Sequence, residues 1–267
     1  MINLEQLLPQ VIQISKDAGA FIREERLHFD PEKVEKKGFN DLVSYVDKTA
    51  EKIIVEGLSQ VLPQAGFITE EGTGKSRKEK YQWVIDPLDG TTNFVHTLPV
   101  FSVSIALIRD AQVILGVVYE INRDECFYAI EGGKAYCNET PIHVSAPTKI
   151  SEALIATGFP YSDFKLLEAY LHILSDLIRT THGLRRMGSA AIDLVYVACG
   201  RFDAYFEYNL NAWDVAAGAF IVQQAGGKVS DFSGMDNYIF GREIIATNGN
   251  IQKELLNAVK KHWLGKV

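Results

Sequence analysis

The sequence has few cysteines, no long apolar run and no excess of positive charge. Its three cysteines, Cys126, Cys137 and Cys199, are scattered through 267 residues without a Cys-x-x-Cys pair. This spacing excludes a disulfide framework and a zinc knuckle and predicts the reduced thiols of a cytoplasmic protein. No apolar run approaches the ~20 residues that a membrane-spanning helix needs, and no secretory signal is visible at the start. The net charge of −7 argues against nucleic acid or an anionic membrane as the main partner.

What remains is the composition of an ordinary globular protein. Apolar residues make up 47% of the chain and charged residues 23%, close to the average for folded domains. The length suits one large domain or two small ones. No repeat, low-complexity segment or linker rich in proline, glycine or serine divides the chain. The sequence therefore predicts a single compact, layered unit over residues 1–267.

Hydrophobic periodicity predicts a mixed α/β or α+β protein whose two halves differ. Apolar residues recur at helical spacing in the segments 4–22, 42–62, 166–178, 190–198, 213–225 and 251–263. Short apolar runs predict strands at 66–69, 81–85, 100–108, 113–119, 126–130, 202–206 and 244–247. A polar loop, 35–41, is expected between the first two helices. The first half, about 1–150, is rich in antiparallel strands, and the second half, about 151–267, alternates strands and helices.

Two aspartates follow one of the predicted strands. The apolar run 83–85 is followed by Asp86 and Asp89, with Pro87 between them. Because proline fixes φ and cannot continue a central strand, we expect the chain to turn at Pro87. Both carboxylates then lie where a strand leaves the core, a common place for a functional site. Two acids held so close repel each other, and a divalent cation that prefers oxygen ligands (Mg²⁺, Mn²⁺ or Ca²⁺) would relieve that repulsion.

Other acids lie at similar boundaries. Glu70 follows the strand 66–69, and Asp214 lies at the start of the helix 213–225. Each could instead be a solvated acid or a helix N-cap, and Asp214 could be an N-cap and a metal ligand at once. Behind Asp89, the backbone amides of Gly90 and Thr91 could hold a phosphate if a helix starts there, although a tight turn would use the same residues. Acids for metal followed by amides for phosphate is the layout expected for metal-assisted phosphoryl transfer.

These residues resemble two signatures of the inositol monophosphatase family. The first is Asp86-Pro87-Leu88-Asp89-Gly90-Thr91-Thr92-Asn93-Phe94 with His96, and the second is Trp213-Asp214-Val215-Ala216-Ala217-Gly218 with Gly226-Gly227. Further matches, in order over nearly the whole chain, are Asp41-Leu42-Val43 with Asp47, Glu70-Glu71, Gly188-Ser189-Ala190 and Asp203-Ala204-Tyr205-Phe206-Glu207. The resemblance implies a layered α-β-α-β-α sandwich of the sugar phosphatase type, dependence on Mg²⁺, inhibition by Li⁺ and a homodimer.

The resemblance also implies a role for each matching residue. One Mg²⁺ would bind Glu70, Asp86 and the backbone carbonyl of Leu88. A second would bind Asp86, Asp89 and Asp214, and Glu70 would also lie near a weaker third site, so that the site holds two or three ions. The implied catalytic residues are Glu70, Thr91 and Asp47, of which Thr91, backed by Asp47, would orient the attacking water. The implied substrate contacts are Asp89, Gly90, Thr91, Gly188, Ser189, Ala190 and Glu207.

The expected activity is hydrolysis of inositol monophosphate to myo-inositol and phosphate by a metal-activated water. A fructose-1,6-bisphosphatase is an alternative that needs a second basic pocket, for which Arg185, Arg186 and Lys165 are possible donors. A histidinol-phosphate phosphatase and a non-catalytic, metal- or RNA-linked regulator are further alternatives, although the complete acid set and the net acidity count against the regulator. The expected partners are a small phosphate ester and a second copy of the chain, with neither nucleic acid nor membrane.

Three positions bear on the choice of substrate. The segment 92–94, Thr-Asn-Phe, argues against the branch of the family that acts on 3′-phosphoadenosine nucleotides. Ser189 and Asn211 stand where threonine and histidine are common in the family. Glu207 is expected at the end of the strand 202–206, facing outward with an exposed carboxylate that accepts hydrogen bonds from substrate hydroxyls. A solvated acid in a loop is the alternative interpretation of Glu207.

Overall fold

Two helices form one outer layer of the protein. The computed structural model describes residues 2–29, 35–38, 41–43, 45–74, 79–160 and 163–263, and within 35–43 it describes the backbone alone. Helix α1 (Leu4–Leu27) begins after Asn3, whose side chain accepts a hydrogen bond from the Gln6 amide at 3.1 Å and so satisfies a free donor of the first turn. Helix α2 spans Tyr45–Val61. Both helices turn apolar stripes toward the first sheet, where Val11, Ile22 and Ile54 are fully buried.

The first sheet has seven strands in the described part of the chain. Their bounds are β3 Gly66–Thr69, β4 Tyr81–Asp89, β5 Ser102–Arg109, β6 Gln112–Glu120, β7 Glu125–Ile130, β8 Tyr136–Cys137 and β9 Thr140–Pro141. They lie side by side in the order β3-β4-β5-β6-β7-β8-β9. Only β3 and β4 pair in parallel, and every other pair in this sheet is antiparallel. Strand β4 therefore carries its carboxyl end to the same edge as β3, next to the residues that follow Thr69.

Two helices lie between this sheet and a second one. Helices α5 (Ala190–Ala198) and α6 (Ala212–Gln224) are apolar on nearly all sides, as expected for helices that are covered on both faces. The strands of the second sheet are β10 Leu154–Thr157, β11 Gly183–Arg185, β12 Ala204–Tyr208, β13 Lys228–Ser230 and β14 Glu243–Thr247. They lie in the order β11-β10-β12-β14-β13. Strand β10 is parallel to both neighbours, and β14 is antiparallel to both of its own.

Helices α4 (Leu167–Thr180) and α7 (Gln252–Trp263) cover the outer face of the second sheet. Their buried residues, including Tyr170 and Trp263, pack with Phe206 in a core of their own. The layers are thus helix, sheet, helix, sheet and helix, and the predicted α-β-α-β-α architecture is confirmed. The three cysteines are free thiols, and within the described part of the chain no helix is long and apolar enough to cross a membrane.

Several local predictions were wrong. The segment expected to be a polar loop forms two short antiparallel strands, β1 (Glu35–Gly38) and β2 (Asp41–Val43), and α2 begins three residues later than its apolar spacing indicated. The backbone groups of residues 42 and 43 form hydrogen bonds within this strand pair, so they are not available for the first turn of a helix. The short strands β8, β9, β10, β11 and β13 were missed because two to four residues are too few to show a period.

Candidate active site

Strand β4 passes through Pro87 and ends at Asp89, so the predicted turn at Pro87 was wrong. Strand β3 pairs with β4 only as far as Ile85. Pro87 therefore has no β3 neighbour to which an amide hydrogen would donate, and its lack of one costs no hydrogen bond on that side. On the other side the register with β5 shifts between Asp86 and Asp89. This irregularity lets the strand accommodate proline while it carries both aspartates into the interior, where Asp86 is 1% exposed.

A short helix, α3 (Thr91–Val95), starts directly behind Asp89. The chain enters it through Gly90 at φ +100°, where a Cβ would lie 2.9 Å from the Val100 carbonyl oxygen, so a side chain has neither the conformation nor the space it needs. The Thr91 hydroxyl lies 2.9 Å from Oδ1 of the buried Asp47 and 3.1 Å from the Leu88 carbonyl oxygen. The structure thus brings Asp47 on α2 to the acidic end of β4.

Asp89 is held by the start of helix α5. Its Oδ2 accepts hydrogen bonds from the Ser189 hydroxyl at 2.5 Å and from the Ala191 amide at 2.7 Å. Ser189 is the N-cap of α5, and its oxygen also accepts a bond from the Ile192 amide at 3.3 Å. Burial raises the pKa of Asp89 to about 6, and the bonds from Ser189 and Ala191 oppose that rise.

Asp214 lies one turn into helix α6. The N-cap is Asn211, so the prediction that Asp214 itself could cap the helix was wrong. Its Oδ2 accepts the Asn211 amide at 2.6 Å, which satisfies one of the free donors at this helix start. Burial, with Asp89 nearby, raises the pKa of Asp214 to about 7.

The acids of these elements act on one another. Burial raises the pKa of Asp86 well above its ordinary value, and the negative charges of Glu70, Asp89 and Asp214 raise it further. All four carboxyl groups line one cavity of about 200 Å³, together with Leu88, Gly90, Thr91, Gly188, Ser189, Ala190 and Glu207. Every residue expected to bind metal or substrate is therefore at this cavity, and Asp47 supports it from behind.

Glu207 lies elsewhere than expected. It is inside strand β12 and 7% exposed, because the strand runs from residue 204 to 208 rather than 202 to 206. Side chains alternate along a strand, so Tyr205 and Glu207 face the middle layer while Phe206 faces the outer core. The Tyr205 hydroxyl donates to Glu207 Oε2 at 2.6 Å. Burial raises the pKa of Glu207 to about 8, against the influence of Tyr205 and Arg186. The expected outward, exposed carboxylate is thus a buried one at the cavity wall.

Comparison with known proteins decides the family. The family model described as "Inositol monophosphatase family" matches residues 3–264. The chain belongs to the inositol monophosphatase family. It is 39% identical over 260 residues to the "Putative Nus factor SuhB" of Neisseria meningitidis, which covers 97% of this chain and 100% of the relative. It is also 39% identical over 256 residues to the "Inositol-1-monophosphatase" of Mesorhizobium japonicum, with 96% of each chain covered.

A solved structure agrees with this relationship over the whole fold. The extragenic suppressor protein SuhB from Bartonella henselae superposes with a TM-score of 0.91 at 38% identity, covering 96% of this chain and 99% of that one. Inositol monophosphatases are metal-dependent enzymes that use Mg²⁺, and membership of the family supports a phosphatase. The relatives differ in what their names report, since some are named for a phosphatase and others as Nus factors.

The acid cluster fits the Mg²⁺ of inositol monophosphatases in its chemistry. Its donors are carboxylate and carbonyl oxygens, which hard divalent cations prefer. Among the residues that the structure describes, no three His, Cys, Asp or Glu side chains form a ready-made ion cage. Mg²⁺ does not require such a cage, because it keeps several waters and binds through one or two carboxylates plus phosphate oxygens of the substrate. Burial is the largest cause of the raised pKa values of Asp86, Asp89 and Asp214, and neighbouring carboxylates raise the pKa of Asp86 and of Asp214 further. A bound cation would favour the charged form of all three groups.

Two arginines balance part of this negative charge. Arg186 lines the cavity and lowers the pKa of Asp89 and of Glu207. Arg242 lines it on the side of Asp214, whose pKa it lowers. The other two candidates for a second basic pocket lie outside the cavity lining: Arg185 donates to the carbonyl of Leu184 at 2.9 Å, and Lys165 is exposed.

Sequence reasoning missed several residues of the cavity wall. They are Gly158, Phe159, Asn209, Leu210 and Arg242. Gly158 and Phe159 follow strand β10, which is itself too short to be predicted. Arg242 reaches the cavity because its guanidinium donates to Asn209 Oδ1 at 2.5 Å across two adjacent strand ends. The sequence carries one weak signal, the glycine at position 241 that marks a turn before strand β14.

Proposed function

We propose that this protein is a Mg²⁺-dependent phosphomonoesterase that hydrolyses inositol monophosphate to myo-inositol and phosphate. The observation that carries the proposal is the convergence of Glu70, Asp86, Asp89 and Asp214 on one cavity in which Asp86 feels the charge of the other three. A fold needs no such cluster for stability, since buried like charges destabilise it. The cluster is explained if cations and a phosphate ester occupy the cavity during function.

We assign each residue at the cavity to a metal ion, to the phosphate or to the alcohol of the substrate. Glu70, Asp86 and the Leu88 carbonyl would hold one Mg²⁺, and Asp86, Asp89 and Asp214 a second, with Glu70 near a third. Bound Mg²⁺ lowers the pKa of water and neutralises charge that develops on the phosphate and the leaving oxygen. The backbone amides of Gly90 and Thr91 would bind the phosphate. Gly188, Ser189, Ala190, Asp89 and Glu207 would contact the alcohol.

Thr91 would orient the attacking water. Its hydroxyl lies 2.9 Å from Asp47 Oδ1, and Asp47 is 1% exposed. A hydroxyl that donates its proton to a buried carboxylate has only its lone pairs left for the water. Thr91 would then accept a hydrogen bond from that water, and this bond would fix the direction of the water's attacking lone pair. The contribution to catalysis is one of positioning. Asp47 acts through Thr91 and is a positioning residue.

The replacement of Asp89 by asparagine tests the proposal. Asp89→Asn keeps the shape of the side chain and removes the charge, so it should lower kcat for inositol 1-phosphate more than tenfold while leaving the folded state intact by circular dichroism. A matched control is Asp110→Asn, the same change at an exposed turn between β5 and β6. Retention of more than a tenth of the wild-type kcat by a folded Asp89→Asn protein would contradict the assignment.

Metal binding can be measured apart from turnover. Saturating Mg²⁺ should raise the Tm of the wild type, because a ligand that binds only the native state stabilises it by mass action. Asp89→Asn should show a smaller rise than Asp110→Asn. Li⁺ should inhibit turnover at millimolar concentration, as in the family this chain belongs to. The absence of any Mg²⁺ shift in Tm together with turnover that Li⁺ does not affect would argue against this site.

One observation favours a second substrate class. Arg186 lines the cavity near Glu207, on the side where the alcohol would lie, and a guanidinium binds phosphate oxygens well. A sugar bisphosphate such as fructose 1,6-bisphosphate is therefore the alternative substrate. Arg186→Gln should raise KM for fructose 1,6-bisphosphate more than KM for inositol 1-phosphate if the second phosphate binds there. Equal effects on both substrates would count against the bisphosphate.

The names of several relatives suggest a second role. The SuhB proteins of Neisseria meningitidis and Escherichia coli are named as Nus factors, and each is 39% identical to this chain. We propose as the alternative that this protein also serves as a Nus factor, in the cytoplasm and as a homodimer. The test is replacement of SuhB in Escherichia coli by the wild type and by Asp89→Asn. Complementation by both would show a role that is independent of catalysis, and complementation by neither would remove the alternative. Analytical ultracentrifugation tests the dimer.

A further inference from the structure

Helix α2 carries a fully buried carboxylate that the proposed chemistry does not use. Glu51 is 0% exposed and does not line the cavity. It follows Asp47 by four residues, so the two side chains lie one turn apart on the same face of the helix. Asp47 contacts Thr91. A charged group is costly to bury unless it is paired or hydrogen-bonded, so the partners of Glu51 indicate its role.

Both oxygens of Glu51 accept hydrogen bonds from the loop that follows strand β3. Oε2 accepts a bond from the Glu71 amide at 2.7 Å. Oε1 accepts bonds from the Thr73 amide at 2.8 Å and from the Thr73 hydroxyl at 2.7 Å. Hydrogen bonds to a carboxylate are about twice as strong as those between neutral groups. These three bonds therefore fix the course of the chain from residue 71 to residue 73.

Two glycines give the loop its shape. Gly72 has φ +74°, and no atom lies within 4 Å of the place where its Cβ would be, so the turn requires the left-handed conformation of glycine rather than its small size. At Gly74 a Cβ would lie 2.5 Å from the Cβ of Phe67, so the loop folds back against the strand that it leaves. The loop is thus held by α2 at residues 71 and 73 and by β3 at residue 74.

Glu70 is the cavity residue that this loop holds in place. It lies between Thr69, the last residue of β3, and Glu71, whose amide is bonded to Glu51. Thr69 is fixed by the parallel pairing of β3 with β4. Glu70 lines the cavity, and its charge raises the pKa of the buried Asp86. Because both of its neighbours are held, the backbone that carries the Glu70 carboxylate has little freedom to move.

We propose that Glu51 is a positioning residue of the metal site: through the amides of Glu71 and Thr73 it sets the place of Glu70, and thereby the affinity for Mg²⁺. The inference rests on the proposed phosphatase function and adds to it a residue outside the cavity. Replacing a group that orients a metal ligand typically lowers metal affinity by about 10- to 100-fold. Helix α2 then supports the site at two points, at Thr91 through Asp47 and at Glu70 through Glu51.

Replacement of Glu51 by glutamine tests the proposal without turnover. Glu51→Gln keeps the shape of the side chain but has one acceptor oxygen, so its NH₂ group must face a loop amide that also donates. The apparent Kd for Mg²⁺, measured from the dependence of Tm on Mg²⁺ concentration without substrate, should rise about tenfold or more. Glu56→Gln is the control, because it makes the same change at an exposed position of α2, and it should leave the Kd unchanged.

A double-mutant cycle shows whether Glu51 acts through Glu70. Glu70→Gln removes the proposed ligand itself, so adding Glu51→Gln to it should not raise the apparent Kd for Mg²⁺ further. A further rise of tenfold in the double variant would show that Glu51 affects the metal by another route, and it would overturn the proposal.

A second pair of variants decides the matter if Glu51→Gln does not fold. Gly72→Ala disfavours the turn that brings both amides to Glu51. Gly132→Ala is its matched control, because Gly132 has the same φ of +74° and equally open surroundings in the turn after β7, outside the cavity lining. Only Gly72→Ala should raise the apparent Kd for Mg²⁺, and equal values in the two variants would reject the role of the loop.

Asp89→Asn separates this inference from the proposed function. If Asp89→Asn raises the apparent Kd for Mg²⁺ while Glu51→Gln and Gly72→Ala leave it unchanged, the inference fails and the proposed metal site stands. If the Tm of the wild type does not respond to Mg²⁺, both fail. Faster hydrogen exchange of the amides of residues 71–73 in Glu51→Gln, with an unchanged Kd, would show that Glu51 orders the loop without affecting the metal, and it would also overturn the proposal.

Discussion

Replacement of Gly158 by alanine should force the Glu207 carboxylate out of its place in the cavity wall. The new Cβ would lie 1.9 Å from Oε2, 2.1 Å from Cδ and 2.2 Å from Oε1 of Glu207. The shortest of these is about 1.5 Å below the 3.4 Å at which ordinary contact begins. Position 158 follows directly on strand β10, which is paired on both sides, so the Glu207 side chain must move rather than the backbone.

The size of the effect follows from what Glu207 would lose. Its Oε2 accepts a 2.6 Å hydrogen bond from Tyr205, and both residues are buried. Leaving such a partner unpaired costs about 1–3 kcal/mol, and overfilling a packed site costs about 1–3 kcal/mol. Moving the Glu207 side chain relieves part of the overlap but breaks the hydrogen bond, so the two costs add only in part, and we expect Gly158→Ala to lower the free energy of unfolding by about 2–4 kcal/mol. KM for inositol 1-phosphate should rise as well, since Glu207 no longer faces the substrate.

A double-mutant cycle in urea measures this coupling. Glu207→Ala removes the atoms that the new Cβ would meet, so adding Gly158→Ala to Glu207→Ala should cost less than 1 kcal/mol, against about 2–4 kcal/mol in the wild type. Gly183→Ala is the control, because a Cβ at Gly183 would have no neighbour closer than 3.4 Å. If the effects of Gly158→Ala and Glu207→Ala on the free energy of unfolding simply add, the clash with Glu207 is not the cause.

Further predictions concern the same wall. Ser189→Ala should destabilise the protein by about 1 kcal/mol, because α5 loses its N-cap, and it should lower activity because Asp89 loses a hydrogen bond. Ser189→Thr should keep the wild-type stability and activity. Chemical denaturation measures the stability of each variant, and a phosphate-release assay measures its activity. In metal-free protein the pKa values of Asp89, Asp214 and Glu207 rise to about 6, 7 and 8. Between about pH 4 and 8 the folded chain therefore keeps protons that the unfolded chain has released, so stability should fall as pH rises through this window; Tm measured in EDTA should fall, and a flat or rising Tm would contradict the assignment. Glu207→Gln should raise KM for inositol 1-phosphate well above its effect on KM for p-nitrophenyl phosphate, which has no hydroxyl to hydrogen-bond with Glu207. Equal effects on both substrates would show that Glu207 serves structure or the metal site and that substrate selectivity is determined elsewhere.

The acids were predictable because each follows a recognisable element. Asp86 and Asp89 come after an apolar run, Glu70 after a short strand and Asp214 at the start of a long apolar helix, so the local pattern marks each boundary. The family signatures then indicated which boundaries meet. Nothing in the local sequence could show that Asp89 contacts Ser189, because their bond joins residues 100 positions apart.

Predictions that depended on register or on partner strands were less successful. Pro87 continues its strand because β3 has already ended beside it, and the length of β3 is not visible from Pro87 itself. Glu207 is buried because β12 lies two residues further along than its apolar run indicated, and a shift in strand position changes which residues the sheet covers. Arg242 and Phe159 reach the cavity from loops, whose course is set by the sheets they join.

The bonds that hold Asp89 to the start of α5 have a kinetic consequence. They connect the end of a first-sheet strand to a helix packed between the two sheets, across separations of 100 and 102 residues. We expect contacts between residues so distant in sequence to form late in folding. Forming them closes a large loop, and the chain must first lose the conformational entropy of that loop. During refolding from urea, catalytic activity should therefore return after most of the helical signal has recovered. A partly folded chain in which either sheet is incomplete would be inactive.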